Sequence, residues 1–191
     1  MLFFVYVVGR GDDVSVIDTE TNKVTATATV AADARGVAVT PDGKQVWVTN
    51  STAGSVSVIT TASNIASGNI QVDRTPLALA LTPDGRRAYV SNSDSGTVSV
   101  IDTREQKVIA KVQLGVTSRG ASGVAISPDG KRVYVGSFDS GDVSVINADS
   151  NAIVGYVNTS LISSSNLICL RIADTSRIAN SECPPNSKKL L

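Results

Sequence analysis

The tetrapeptide Val-Ser-Val-Ile occurs four times, beginning at Val14, Val56, Val98 and Val143, at spacings of 42, 42 and 45 residues. Pro-Asp-Gly occurs three times, beginning at Pro41, Pro83 and Pro128, again 42 and then 45 residues apart. Each Pro-Asp-Gly lies 15 residues before the next Val-Ser-Val-Ile, so the three extra residues of the last interval fall in the loop around Val116 to Ser122. A fixed period with insertions confined to one loop marks a modular fold. Each repeat is one unit that cannot bury its apolar faces without neighbours.

Four short strands are predicted in each unit. The first is small and apolar: Gly36 to Val39, Leu77 to Leu81, Gly123 to Ile126. A Thr/Ser-Pro-Asp-Gly turn follows, in which proline presets φ, aspartate bonds back to the backbone and glycine takes positive φ. The second carries an aromatic residue: Val46 to Val48, Ala88 to Val90, Val133 to Val135. The third is Val-Ser-Val-Ile, entered through Gly54, Gly96 and Gly141. The fourth covers Val24 to Val30, Ile65 to Val72, Val108 to Leu114 and Ile153 to Val157. These runs are rich in β-branched residues and bounded by turn formers, which is the strand signature.

Four strands per ~40–45 residues is the arithmetic of a propeller blade. A parallel β-helix has a shorter period, and leucine-rich or helical repeats need helices that are missing here. The fold class is therefore all-β, a β-propeller of four-stranded antiparallel blades. The apolar start, Met1 to Val8, looks like the core of a signal peptide but lacks a preceding basic residue and a nearby small-residue cleavage site. Tyr6 stands 41 residues before Trp47. The start therefore reads as the second strand of a first blade.

Trp47-Val48-Thr49-Asn50, Tyr89-Val90-Ser91-Asn92 and Tyr134-Val135-Gly136-Ser137 resemble the element that names the YVTN β-propeller repeats. The same units carry Thr-Pro-Asp-Gly-Lys, Thr-Pro-Asp-Gly-Arg and Ser-Pro-Asp-Gly-Lys, and Val-Ser-Val-Ile-Asp recurs at Val14 and Val98. The resemblance covers residues 5 to about 158. It implies a propeller that is often seven-bladed and often secreted, periplasmic or on the cell surface, without implying one activity. Some propellers in related families carry heme or act as lactonases. Those sites lean on histidine, so its absence here weighs against both.

Blades account for residues 1–158. After Val157 the pattern weakens: residues 159–182 read as a degenerate last strand placed to close the ring, and 183–191 as a tail. A short helix over Asn166 to Ala179 is the competing reading of that stretch. About four blades follow, in a small closed ring or in half of a larger one. An unfinished ring exposes two apolar faces. A C-terminal strand near Leu167 to Ile172, a second copy of the chain, or further sequence of a longer gene product would each cover them.

Composition excludes more chemistry than it suggests. Seventeen basic side chains balance seventeen acidic ones among 191 residues, so no net field favours nucleic acid. No segment approaches the ~20 apolar residues of a membrane-spanning helix. Histidine is absent, which removes Ser-His-Asp triads, Cys-His pairs and imidazole-held metals. Cys169 and Cys183 are compatible with free thiols or with a disulfide.

In a propeller the loop entering the innermost strand and the loop between second and third strands share one face around the axis. Arg35, Arg74 and Arg119 fall there, one per interval, a candidate clamp for a carboxylate or phosphate. Solvation, or pairing with Asp12, Asp13, Asp94, Asp139 and Asp142, is the bland account of the same residues. Those aspartates with Asn50 and Asn92 form a weaker calcium candidate, because no run matches a known calcium loop. Tyr6, Trp47, Tyr89 and Tyr134 read as packing residues.

The expected function is a non-catalytic binding or scaffolding module that holds a protein, glycan or small anion, with no cofactor and no metal. A truncated or divergent propeller hydrolase or oxidoreductase is the alternative. The resemblance places the protein outside the cytoplasm.

Overall fold

The computed structural model describes residues 4–9, 11–115 and 120–158. Within them each Pro-Asp-Gly turn is built by its own side chains. In the first, Asp42 Oδ1 accepts from Thr40 Oγ1 at 2.7 Å and from the Lys44 amide at 3.1 Å. Gly43 takes φ 72° and donates its amide to Thr40 O at 2.8 Å. The positive φ is why glycine closes the turn. Thr82–Asp84–Arg86 and Ser127–Asp129–Lys131 repeat the arrangement.

These turns and the strands they join produce fifteen strands in four sheets. The first blade has three: β1 (Phe4–Val8), β2 (Asp13–Asp18) and β3 (Lys23–Thr29). The second has β4 (Ala34–Val39), β5 (Gln45–Asn50), β6 (Ser55–Thr60) and β7 (Ile65–Gln71). The third has β8 (Pro76–Leu81), β9 (Arg87–Asn92), β10 (Thr97–Asp102) and β11 (Lys107–Gln113). The fourth has β12 (Ala121–Ile126), β13 (Arg132–Ser137), β14 (Asp142–Asn147) and β15 (Ala152–Asn158). Each sheet is an antiparallel meander in chain order. The apolar start is a strand, as the repeat requires. Ala121 and Ser122, read from sequence as loop, belong to β12.

Val-Ser-Val-Ile works because its residues alternate between two neighbours. Val56 and Val58 face the third blade with Trp47 and Ile70, against Leu79, Ala88, Val90 and Ile101. Ile59, with Val46 and Val48, faces the first blade and meets Val14 and Ala28. The third joint repeats this with Tyr89, Val98, Val100 and Val112 against Val133, Val135 and Ile146. Each joint thus sets an aromatic-bearing trailing face on an aliphatic leading face. A bulge recurs in every β-strand-three to strand-four pairing, for example between Val58 and Ile59, and increases the local twist.

The innermost strands of neighbouring blades are also clasped by a hydroxyl. Thr49 Oγ1 accepts from Gly36 N at 2.7 Å and donates to Leu77 O of the next blade at 3.2 Å. Ser91 Oγ likewise joins Ala78 N at 3.2 Å to Ser122 O at 2.9 Å. A β-carbon at Gly36 would lie 2.7 Å from Leu77 O, so this approach needs glycine.

The blades follow one another in chain order, and the described residues form no packed joint between the fourth blade and the first. They make an arc. The closing strand and tail expected over 159–182 and 183–191 lie outside the described residues, as do Cys169 and Cys183.

Candidate functional site

The loops entering the innermost strands and the loops between second and third strands do share one face. Between the second and third blades they enclose a cleft of ≈ 470 Å³ lined by Ser51, Thr52, Asp73, Arg74, Thr75 and Asp94, among others. Thr75 enters β8 with φ 57° and donates its hydroxyl to Asp94 at 2.6 Å. Its repeat equivalents are Asp33, φ 64°, and Gly120, φ 87°. A left-handed residue at this corner turns the chain inward to start each inner strand.

Asp73 anchors the cleft. Partial burial pushes its carboxyl up, but Lys111 at 2.6 Å and Thr97 at 2.7 Å outweigh that and hold it below the ordinary value of 3.8. Asp73 is therefore an ionised acceptor at neutral pH. It ties the entry loop of the third blade to that blade's outer strands.

The three arginines separate on this frame. Arg35 sits inside β4 and binds Asp33 through Nε at 2.9 Å and Nη2 at 3.1 Å. Arg74 lies in the loop before β8 and lines the cleft, its backbone amide bonded to Ser95 Oγ at 3.0 Å. No ion pair within 4.0 Å engages its guanidinium among the described residues. Arg119 falls outside the described residues. Arg74 and Arg119 share a repeat position, 45 residues apart, whereas Arg35 lies 39 before Arg74 and occupies a different place in its blade. Arg35 and Arg74 are thus not rotational equivalents about an axis.

The calcium candidate does not assemble. Among the described residues no three carboxylates come together to hold a metal. Asn50 and Asn92 are fully buried behind the loops. Asn50 directs its amide nitrogen to Ala31 O at 3.1 Å and accepts from Ser55 and Ser57 hydroxyls at 3.2 and 2.9 Å. Asn92 donates its amide nitrogen to Thr97 Oγ1 at 3.1 Å and to Ser99 Oγ at 3.0 Å, and its buried Oδ1 has no hydrogen-bond partner among the described residues. Both residues are structural.

The aromatic residues are packing residues with a polar tip, as their strand place implies. Tyr6 donates to Asn64 Oδ1 at 3.0 Å in the next blade. Tyr89 reaches Asn151 Oδ1 at 3.2 Å and Ala148 O at 3.1 Å, also in the next blade. Trp47 instead bonds Gln45 in its own strand at 3.2 Å. This tyrosine-to-asparagine link was not read from the sequence. The signal was available, because Asn22, Asn64, Gln106 and Asn151 recur at the repeat period.

A model of the cytochrome D1 heme domain family matches residues 67–180, well over half of the chain. No curated protein matches. Among solved structures, a chain of Kuenenia stuttgartiensis hydrazine synthase is 29% identical and superposes with a TM-score of 0.75. The match covers 80% of this chain and 45% of that one, so this chain spans under half of that chain's length.

Proposed function

The chain belongs to the cytochrome D1 heme domain family, and within it we propose a non-catalytic binding and scaffolding propeller that receives a partner on its loop face. The observation that carries this is the Arg74 cleft, a polar recess between two blades with a guanidinium that makes no ion pair within 4.0 Å among the described residues, its charge acting on Asp73 only at longer range. The partner classes that suit it are a protein, a glycan or a small anion, held by Arg74 with Thr75 and the polar rim. The resemblance of the repeats to YVTN propellers favours a place outside the cytoplasm. Among the described residues no helix is long and apolar enough to cross a membrane.

The names of the matched family and structure favour a second reading, a heme-bearing or redox propeller. Axial donors to heme iron are His, Met, Cys or Tyr. The chain has no histidine, and Met1, Cys169 and Cys183 lie outside the described residues. Of the described tyrosines, Tyr6 and Tyr89 are bonded into blade joints. Burial raises both above the ordinary phenol value of 10.0, away from the phenolate that ligation needs. Tyr134 lies on the trailing face of the fourth blade and Tyr156 on an exposed outer strand. The described residues do not fit a heme.

Citrate titrated into the 15N-labelled chain tests the binding reading. Saturable shifts at the amides of Arg74, Thr75 and Asp94, abolished in Arg74→Ala, are expected. Absent shifts, or shifts unchanged in that variant, refute the Arg74 cleft. Hemin titration followed at the Soret band decides the second reading: a saturable one-to-one shift would overturn the scaffold proposal.

A further inference from the structure

The face opposite the loops carries the turns that join strands one and two, and strands three and four, of each blade. Among the described residues two joints are tied there by a hydrogen bond from a strand-two tyrosine to a left-handed asparagine in the following blade, Tyr6 to Asn64 and Tyr89 to Asn151. The joint between the second and third blades has no such tie. Its strand-two residue is Trp47, which gives its indole N–H to Gln45 of its own strand at 3.2 Å. In the asparagine's place stands Gln106 at φ 50°, whose carboxamide makes no hydrogen bond among the described residues. The Gln106 carboxamide oxygen lies over Gly68 of the second blade, where a β-carbon would sit 2.7 Å from it. Ala26 and Ala110 hold the equivalent place in the first and third blades, so glycine here makes the seat for this glutamine.

A cleft of ≈ 380 Å³ opens at this untied joint. Its second-blade wall includes Asp42, Lys44 and Gln45, and its third-blade wall Asp84, Arg104 and Gln106. The two carboxylates balance the two cations. Asp42 and Asp84 each spend Oδ1 within their own turn, on the hydroxyls of Thr40 and Thr82 and the amides of Lys44 and Arg86. Their Oδ2 atoms meet cations only at 3.9 Å, and Arg104 meets only Glu105, at 4.0 Å. Gln45 accepts from Trp47 through Oε1, and its amide nitrogen donates to no described residue. The cleft therefore sets unspent donors beside unspent acceptors, with no net charge.

We infer that this cleft is a second binding site, on the opposite face from the Arg74 cleft and independent of it, for a segment of neutral glycan. A lone anion would face the carboxylates of Asp42 and Asp84, and a lone cation would face Lys44 and Arg104, so like charges oppose either. An apolar occupant would strip water from these groups and replace none of its hydrogen bonds. A sugar hydroxyl both donates and accepts. A run of hydroxyls can donate to Oδ2 of Asp42 and Asp84 while accepting from Gln45, Gln106 and Arg104. The volume lies within the range of about 300–1,000 Å³ that small-molecule sites occupy. Held between Gln45 on one blade and Gln106 on the next, the glycan supplies the cross-joint bridge that tyrosine and asparagine supply at the tied joints.

The side-chain amide signals of Gln45 and Gln106 in the 15N-labelled full chain test it, read during titration with maltotriose, mannotriose and triacetylchitotriose. At least one of these neutral sugars is expected to shift both signals saturably. Glycerol at the same hydroxyl concentration, and citrate, are expected to shift neither. Gln106→Ala should weaken sugar binding about five- to tenfold, as loss of one hydrogen bond does. Trp47→Tyr together with Gln106→Asn rebuilds the tie that the neighbouring joints carry. That variant should keep the wild-type far-UV circular dichroism and lose the sugar. The inference is overturned if none of the three sugars gives a saturable shift, or if glycerol shifts the two signals equally. Shifts of these signals by citrate overturn it in favour of an anion site. Sugar binding that persists undiminished in the rebuilt joint overturns it as well.

Discussion

Gly36→Ala perturbs a close approach of backbone to backbone between two blades. A β-carbon there would lie 2.7 Å from Leu77 O, 3.0 Å from Ala78 Cα and 3.0 Å from Thr49 Oγ1. The first two are backbone atoms of the neighbouring blade's inner strand, so no side-chain rotation relieves them. Reaching ordinary contact at 3.4 Å means moving the inner strands of the second and third blades apart by about 0.7 Å. That shift stretches the Gly36–Thr49–Leu77 clasp, now at 2.7 and 3.2 Å. Overpacking of this kind costs about 1–3 kcal/mol, which is roughly 2–12 °C in melting temperature for a chain of this size. Gly155→Ala is the control, because a β-carbon at Gly155 meets nothing within 4 Å and should be neutral. Urea and thermal unfolding read both variants. A Gly36→Ala variant within about 0.3 kcal/mol of wild type, where surface changes fall, would refute the close-approach reasoning.

Ser91→Ala leaves Ala78 N and Ser122 O without their shared hydroxyl and is expected to cost about 1–3 kcal/mol by denaturant unfolding. Trp47→Ala, at a side chain with no exposed surface, should cost about 3–5 kcal/mol and leave the chain near its unfolding limit. The Asp42, Asp84 and Asp129 carboxyls are held below 3.8, first by the hydroxyls of Thr40, Thr82 and Ser127 and then by the backbone amides of Lys44, Arg86 and Lys131. Their folded values lie below the unfolded one, so their contribution is whole above about pH 4 and is lost as pH falls through the folded values. The triple variant Asp42→Asn, Asp84→Asn, Asp129→Asn should therefore show a flatter acid limb in stability against pH. An unchanged acid limb would show that these turns do not report in this window.

The blade was legible because its determinants are local. Pro-Asp-Gly sets a turn by its own φ preferences and hydroxyl bonds, and Val-Ser-Val-Ile sets two faces by strand alternation. The start at Tyr6 was placed by period alone, and β1 is a strand. The joints were harder, since they depend on which residue of one blade meets which of the next. Thr49 and Ser91 look like ordinary strand hydroxyls until the neighbouring carbonyl is seen. The site was least legible. Arg35 and Arg74 appear as one series when counted per interval, but 39 residues separate them and 42 would be needed for equivalence. Arg35 is then drawn to Asp33, a pairing set by the left-handed corner and not by composition.

The claim that blades join in chain order through a tyrosine on one and a turn on the next is tested most directly by a double-mutant cycle on Tyr89→Phe and Asn151→Ala. These residues are 62 apart in sequence and meet at 3.2 Å only if the third and fourth blades pack as described. The account predicts a coupling energy of about 0.5–1.5 kcal/mol in denaturant unfolding, the net worth of one hydrogen bond. Additivity within about 0.3 kcal/mol, as for independent sites, would contradict it.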